Sequence, residues 1–223
     1  MSAKSSVPRA SRKLARFDDA YRARWGAVLA GVDEAGRGSL AGPVVAACVA
    51  LPAGARLPGV RDSKLLTARE REEALARVLA EAVATGVGAA SVAEVDAFNI
   101  RMATLLAMRR AVEALGMRPQ GFLIDGRDAI HHELPVEAVV DGDAKSLAVA
   151  AASILAKVTR DRLMDEEAPR YPAYGFEENK GYGTPDHLEA LRVHGPCEIH
   201  RRSFRPVREL LAVQVTIEGL FPG

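Results

Sequence analysis

The chain has 223 residues, 48% hydrophobic and 26% charged, with a formal net charge of +1. That length suits one sizeable α/β domain with room for a small appendage, and the composition is that of a protein with a proper core. Two distant cysteines, Cys48 and Cys197, speak against a disulfide framework and for a reducing, cytoplasmic setting, while near-neutral charge excludes only a protein that is basic all over.

Residues 1–26 open with Lys4, Arg9, Arg12, Lys13 and Arg16 and no acid before Asp18, a composition shared by transit peptides and disordered basic arms. A flexible arm is the expectation. The longest uncharged stretch, 38–55, is broken by glycine and proline, so no transmembrane helix is expected.

"AVLAGVD" (27–33) and "PVVAACVAL" (43–51) read as neighbouring strands. Thr67 with Glu70 forms a capping box for a helix through "TAREREEALARVLAEAVA". A strand "GVGAAS" follows, then a second capping box, Ser91 with Glu94, opening a long helix to about 115. "GFLID" (121–125) and "EAVV" (137–140) are two more strands, and an alanine-rich helix over about 144–164 is expected to pack close on the sheet through Ala150 to Ala152. Residues 169–183 lack periodicity and read as loop. Thr184 and Pro185 start a short helix to about 194, and a last short helix and tail follow a break at 195–206. The expected division is an arm (1–26), a catalytic core (27–166) and a C-terminal loop and helical portion (167–223).

Three stretches end a buried run on acids: Asp33 and Glu34, Asp125, and Asp143. Open α/β sheets collect functional groups where strands end, so these four could share one crevice. Consecutive strand residues face opposite ways, so Asp33 and Glu34 can serve one site only if the chain bends, which Gly36 and Gly38 would allow. Four carboxylates together would raise each other's pKa unless divalent cations neutralise them, and oxygen-only ligation points to magnesium or manganese. The spacing of Gly36, Gly38 and Gly42 is not a dinucleotide fingerprint, since the acids precede the turn.

"GVDEAGRGSLAGPVVAACVAL", "RDSKLL", "LIDG", "GDAKSLAVAAASILAKVTRDR", "YGFEENKGYGTPDHLEAL" and "IHRRSFRPV" together resemble bacterial type 2 ribonuclease H, ribonuclease HII, in order from about 31 to 207. The resemblance implies a ribonuclease H-like fold: a central mixed sheet flanked by helices, with a C-terminal helical portion. It also implies cleavage of RNA in RNA/DNA hybrids and at single ribonucleotides in duplex DNA, with two Mn2+ or Mg2+ ions as cofactors and 5′-phosphate and 3′-hydroxyl products. The family's metal-binding acids fall on Asp33, Glu34, Asp125 and Asp143, leaving Asp141 and Asp161 aside. The turn Gly36, Arg37, Gly38 would contact the ribonucleotide, and Tyr182 the next sugar. Ser39 stands where the family usually has proline, which would loosen the turn.

Only six of the 30 basic residues are lysine. Lys64, Lys145, Lys157 and Lys180 lie inside the motifs, and Lys64, Lys145 and Lys180 are candidate phosphate contacts, with ion pairing to nearby acids as the alternative. Ser63, Asn99 and Ser146 are further candidates for phosphates; Tyr171 and Tyr174 read as packing, and the five histidines as surface or structural groups. The tail "QVTIEGLF" places Gln214, Ile217, Leu220 and Phe221 at a spacing resembling sliding-clamp-binding peptides. A monomer acting on ribonucleotide-containing duplexes is the expected form.

Overall fold

The computed structural model describes residues 9–60 and 63–220, with backbone alone at residues 9, 10, 65 and 213–220. Two compact units emerge, and they interleave along the chain. The first takes the chain up to Ala35, Val45–Ala89 and Leu105–Val158; the second takes Gly36–Val44, Ala90–Thr104 and the chain from Thr159 on. Two short insertions, one carrying the glycine turn, belong with the C-terminal residues.

The first unit is built on a five-stranded mixed sheet in the order β3-β2-β1-β4-β5. β1 (Leu29–Ala35) runs antiparallel to β2 (Val44–Leu51) and parallel to β4 (Phe122–Asp125), which is parallel to β5 (Val136–Val139). β3 (Ala84–Ala90) completes the edge beside β2. Every residue of β2 is buried, as its unbroken apolar run requires.

Glycines set how closely helices approach the sheet. A Cβ at Gly31, in the centre of β1, would lie 2.1 Å from the backbone of Ala148 in α4 (Leu147–Glu167). Ala148, Ala150, Ala151 and Ala152 are fully buried there, the close packing that the alanine run predicts. Gly86 and Gly88, on one face of β3, do the same for Ala111 and Ala107 of α3 (Val92–Glu113). Both capping boxes form. Glu70 N donates to Thr67 Oγ1 and the Glu70 carboxylate accepts from Thr67 N at the start of α2 (Ala68–Glu81), and Ser91 and Glu94 repeat the pattern before α3.

The N-terminal expectation needs correcting. Arg9–Trp25 is a helix, α1, whose Leu14 is buried in the main core and whose Phe17, Tyr21 and Trp25 pack on Leu29, Leu123 and Val139. Counting bases in that segment hides this apolar stripe at helical spacing. Asp18, fully buried on the same helix, accepts from Ala148 N at 3.0 Å and so caps the first turn of α4. Residues 1–8 lie outside the described part.

The second unit is helical. Where the sequence reads as loop, 3-10 turns at Ala168–Arg170 and Pro172–Tyr174 precede a one-turn α5 (Phe176–Asn179). α6 (Pro185–His194) is capped by Thr184, whose Oγ1 accepts from His187 N. The last helix is longer than expected, α7 (Arg205–Leu220). Tyr174 packs as expected, stacked on Phe176 with its hydroxyl donating to Gly195 O at 2.7 Å. Among the described residues no helix is long and apolar enough to cross a membrane.

Burial drives the Asp18 pKa up to about 6, against weaker pull from Ser146, the Ala148 amide and Arg22. A folded pKa above the unfolded value favours the folded state at low pH, and that contribution is lost as pH rises from about 4 through about 6. Urea unfolding of wild type and Asp18→Asn should therefore differ in pH dependence across that window. Wild type should lose up to ~3 kcal/mol relative to the variant as pH rises; parallel curves would show that Asp18 does not titrate in the folded state.

Candidate active site

The parallel register pairs Gly31 with Leu123 and Val32 with Ile124. One rung further on, Asp33 therefore stands opposite Asp125, on the same face of adjacent strands. Glu34 joins them: one carboxylate oxygen from each of Asp33, Glu34 and Asp125 lies within 4.8 Å of the others. The chain does not bend at the acid pair, contrary to expectation, because β1 stays paired to β2 through Ala35 opposite Val45. The turn comes afterwards, at Gly36 with φ 85°. Asp33 Oδ1 folds along its own strand to accept from Glu34 N at 2.7 Å, which holds the short side chain near its neighbour.

Asp125 is fixed from the next loop, where Gly142 N donates to its Oδ1 at 2.7 Å. That loop turns through Asp141, left-handed at φ 54°, into a 3-10 turn at Gly142–Ala144. It carries Asp143, buried, which is not part of the tight trio; its Oδ2 lies 3.3 Å from Lys64 Nζ. The structure thus gathers three of the four acids and places the fourth on the loop that anchors one of them.

Burial, then the charges of Glu34 and Asp125, push the Asp33 carboxyl well above its ordinary range, against weaker pull from Ser153 and the Glu34 amide. Like charges at that separation repel by about 3–4 kcal/mol per pair at an effective dielectric near 20, so either a proton or a cation must be held there. The donors are all hard oxygens, which fits magnesium or manganese.

In the second unit the glycine turn rests on two buried arginines. Arg160 donates to the carbonyls of Pro43, Ala41 and Lys180 at 2.9–3.0 Å. A Cβ at Gly36 would lie 1.8 Å from Arg160 Nε, so this glycine is demanded by packing as well as by its φ. Arg201 donates to Gly42 O at 2.9 Å and to Arg37 O at 3.0 Å, which fixes the Arg37 backbone while its side chain is exposed. Ser39 N donates to Gly36 O at 3.3 Å, a bond that proline could not make, so serine closes the turn instead of loosening it. Tyr182 holds its ring partly exposed, with Arg160 Cζ 5.4 Å from the centroid.

Residues 30–207 match the family model for ribonuclease HII. The chain belongs to the ribonuclease HII family. It is 54% identical over 185 residues to a ribonuclease HII of Desulfitobacterium hafniense, covering 83% of this chain and 71% of that one. The structure resembles the ribonuclease H2 of Pyrococcus horikoshii with a TM-score of 0.72 at 29% identity, covering 83% of this chain and 98% of that one. It also resembles ribonuclease HII in the PCNA:RNase HII complex of Archaeoglobus fulgidus, with a TM-score of 0.68 at 29% identity over 80% of this chain and 95% of that one. The ribonuclease H-like fold is thereby established, and the chain is a hydrolase that cuts RNA paired with DNA.

The remaining polar candidates have local partners. Lys180 pairs with Asp165 and donates to Glu177 O, and Lys145 donates to Val140 O at 2.6 Å. Ser63 and Ser153 share a buried hydroxyl contact of 2.9 Å, and Ser146 Oγ accepts from Val149 N in the first turn of α4. Asn99, at φ 67°, breaks α3 and caps its second half by accepting from Met102 N. Arg160 and Arg201 are the residues that sequence reasoning missed. Both sit inside quoted motifs, but a buried arginine and an exposed one look alike in sequence.

Removing a charge from the trio should stabilise the metal-free protein. With chelator present, Asp33→Asn should melt about 2–6 °C above wild type, and added Mg2+ or Mn2+ should raise the wild-type midpoint but not that of the variant. A variant that melts lower, or responds equally to metal, would contradict this reading of the cluster.

Proposed function

We propose that the protein nicks duplex DNA on the 5′ side of single embedded ribonucleotides, and cuts longer RNA/DNA hybrids, by two-metal-ion hydrolysis that leaves 5′-phosphate and 3′-hydroxyl ends. The observation that carries this reading is the convergence of Asp33, Glu34 and Asp125 oxygens within 4.8 Å at the end of paired strands. Asp143 is the fourth ligand in this proposal, and Lys64 holds it until metal and substrate arrive. Mn2+ or Mg2+ bound there would activate a water and offset charge on the leaving oxygen. The protein's own part is to hold four carboxylates in place, and the ions would offset the burial and like charges that otherwise favour a proton on Asp33.

Recognition of the ribonucleotide is assigned to Gly36, Arg37, Gly38 and Tyr182. Gly38 supports this, because a Cβ there would meet nothing within 4 Å among the described residues, so the turn is open to the close approach of a ligand backbone that glycine permits. A 2′-hydroxyl is what separates RNA from DNA at one site, and main-chain groups of an exposed, rigid turn suit that task. Lys64, Lys145 and Lys180 remain proposed phosphate contacts. Lys64 is the best placed of them, because its partner is Asp143 itself.

The cellular role that follows is removal of ribonucleotides and RNA primers from DNA by a cytoplasmic monomer. A sliding clamp is a proposed partner through Gln214, Ile217, Leu220 and Phe221, in keeping with the PCNA complex of the Archaeoglobus relative. The side chains of the first three, and Phe221 altogether, lie outside the described residues.

The deciding assay uses three matched duplexes: all DNA, DNA with one ribonucleotide, and RNA/DNA hybrid, each with Mg2+, Mn2+ or chelator. Metal-dependent nicking 5′ of the lone ribonucleotide is expected, with the all-DNA duplex intact and Asp125→Asn inactive but still able to bind. Cutting in chelator, or of the all-DNA duplex, would refute the proposal.

A further inference from the structure

Three hydrogen bonds in the second unit, the middle one buried and the two ends partly buried, form one directed chain that ends on Tyr182. Cys197 N lies 3.0 Å from His200 Nδ1, His200 Nε2 lies 3.0 Å from His187 Nε2, and His187 Nδ1 lies 2.9 Å from the Tyr182 carbonyl oxygen. The two ends settle where the protons sit. A backbone amide can only donate, so His200 Nδ1 is bare and its proton is on Nε2, and the Cys197 thiol, its Sγ also 3.0 Å from Nδ1, can only be a second donor there. A carbonyl can only accept, so His187 carries its proton on Nδ1 and leaves Nε2 bare. The middle contact is then N–H···N from His200 to His187.

A second proton on either ring would set two donors face to face at one of these contacts. Burial works the same way: His187 and His200 are 0% and 1% exposed, and desolvation pushes His200 down to about 4 and lowers His187 as well. Tyr174 and Phe176 wall the pair in, with Tyr174 centred 4.9 Å from His200 and Phe176 5.3 Å from His187.

Tyr182 is held from several sides. Its N–H donates to Asn179 O at 2.9 Å, its carbonyl accepts from Thr184 N at 2.8 Å as well as from the histidine chain, and Arg160 both lies beside its ring and binds the carbonyl of Lys180 two residues before. We propose that His187 and His200 are positioning residues for Tyr182, a pair of single, fixed tautomers that pins its carbonyl and so sets where its ring meets the nucleotide beside the ribonucleotide. The inference rests on the reading of Tyr182 as a substrate contact given above. It adds a specificity role for two histidines outside the acidic trio.

Imidazole 15N–1H correlation spectra of the full chain near neutral pH should show His187 protonated on Nδ1 and His200 on Nε2. The kinetic readout is kcat/KM on the lone-ribonucleotide duplex divided by that on the uniform hybrid. His187→Gln, which places its amide near the Nε2 position and loses the donor to Tyr182, should lower that ratio about tenfold, the worth of one buried hydrogen bond. His187→Asn, which keeps a donor near the Nδ1 position, should retain most of it, whereas a space-filling role would treat the two alike. Opposite tautomers, a charged imidazole, or an unmoved ratio in His187→Gln would overturn the proposal. Tyr182→Ala separates the two levels. If it leaves the ratio unchanged, the Tyr182 reading itself fails; if it collapses the ratio while His187→Gln does not, only the positioning chain fails. Should the His187 variants not fold, the wild-type tautomers still decide.

Discussion

The parallel register that pairs Val32 with Ile124 sets Asp33 beside Asp125 at the end of the sheet, and their repulsion has to be resisted by rigid surroundings. Much of the first unit does this. Gly31 lets the α4 backbone press onto β1 one alternation before Asp33, and the buried alanines of α4 make that contact close. Asp18 ties α1 to the first turn of the same helix, and Gly142 N ties the loop after β5 to Asp125. The acidic cluster is tolerable because β1 is pinned by packing on α4 and the Asp125 carboxylate is itself held by the Gly142 amide. Function supplies the compensation: divalent ions would turn the same repulsion into binding energy.

The second unit solves a different problem, that of presenting main-chain groups at the surface in one conformation. Arg160 and Arg201 do so by donating to carbonyls of residues 37–43 and of Lys180, a use of the planar guanidinium fork that lysine could not copy. Their charges have no carboxylate at these contacts, and burial lowers the Arg201 pKa to about 9. Such desolvation is costly and marks the turn as a place where precision outweighs stability.

What could be read from sequence was what local chemistry dictates. Acids closing apolar runs, two capping boxes, Thr184 before Pro185 and the alanine run each have a short-range cause, and the structure contains them as expected. What was hidden depends on distant partners. α1 passed for a basic arm because its apolar stripe gains meaning only once Leu29, Leu123 and Val139 are in place. Asp33 and Asp125 meet because their strands run parallel one rung past Val32 and Ile124, and strand register between 32 and 124 is not written in either segment alone. The His187–His200 pair joins residues thirteen apart, and nothing local in either segment marks them as partners.

The most direct test of the account is metal binding by the trio. Titration of the metal-free protein with Mn2+, following the free ion by electron paramagnetic resonance, should show uptake by wild type that Asp125→Asn largely abolishes while the fold, followed by circular dichroism, persists. Equal uptake by the two proteins would place the ions elsewhere and contradict the site built on Asp33, Glu34 and Asp125.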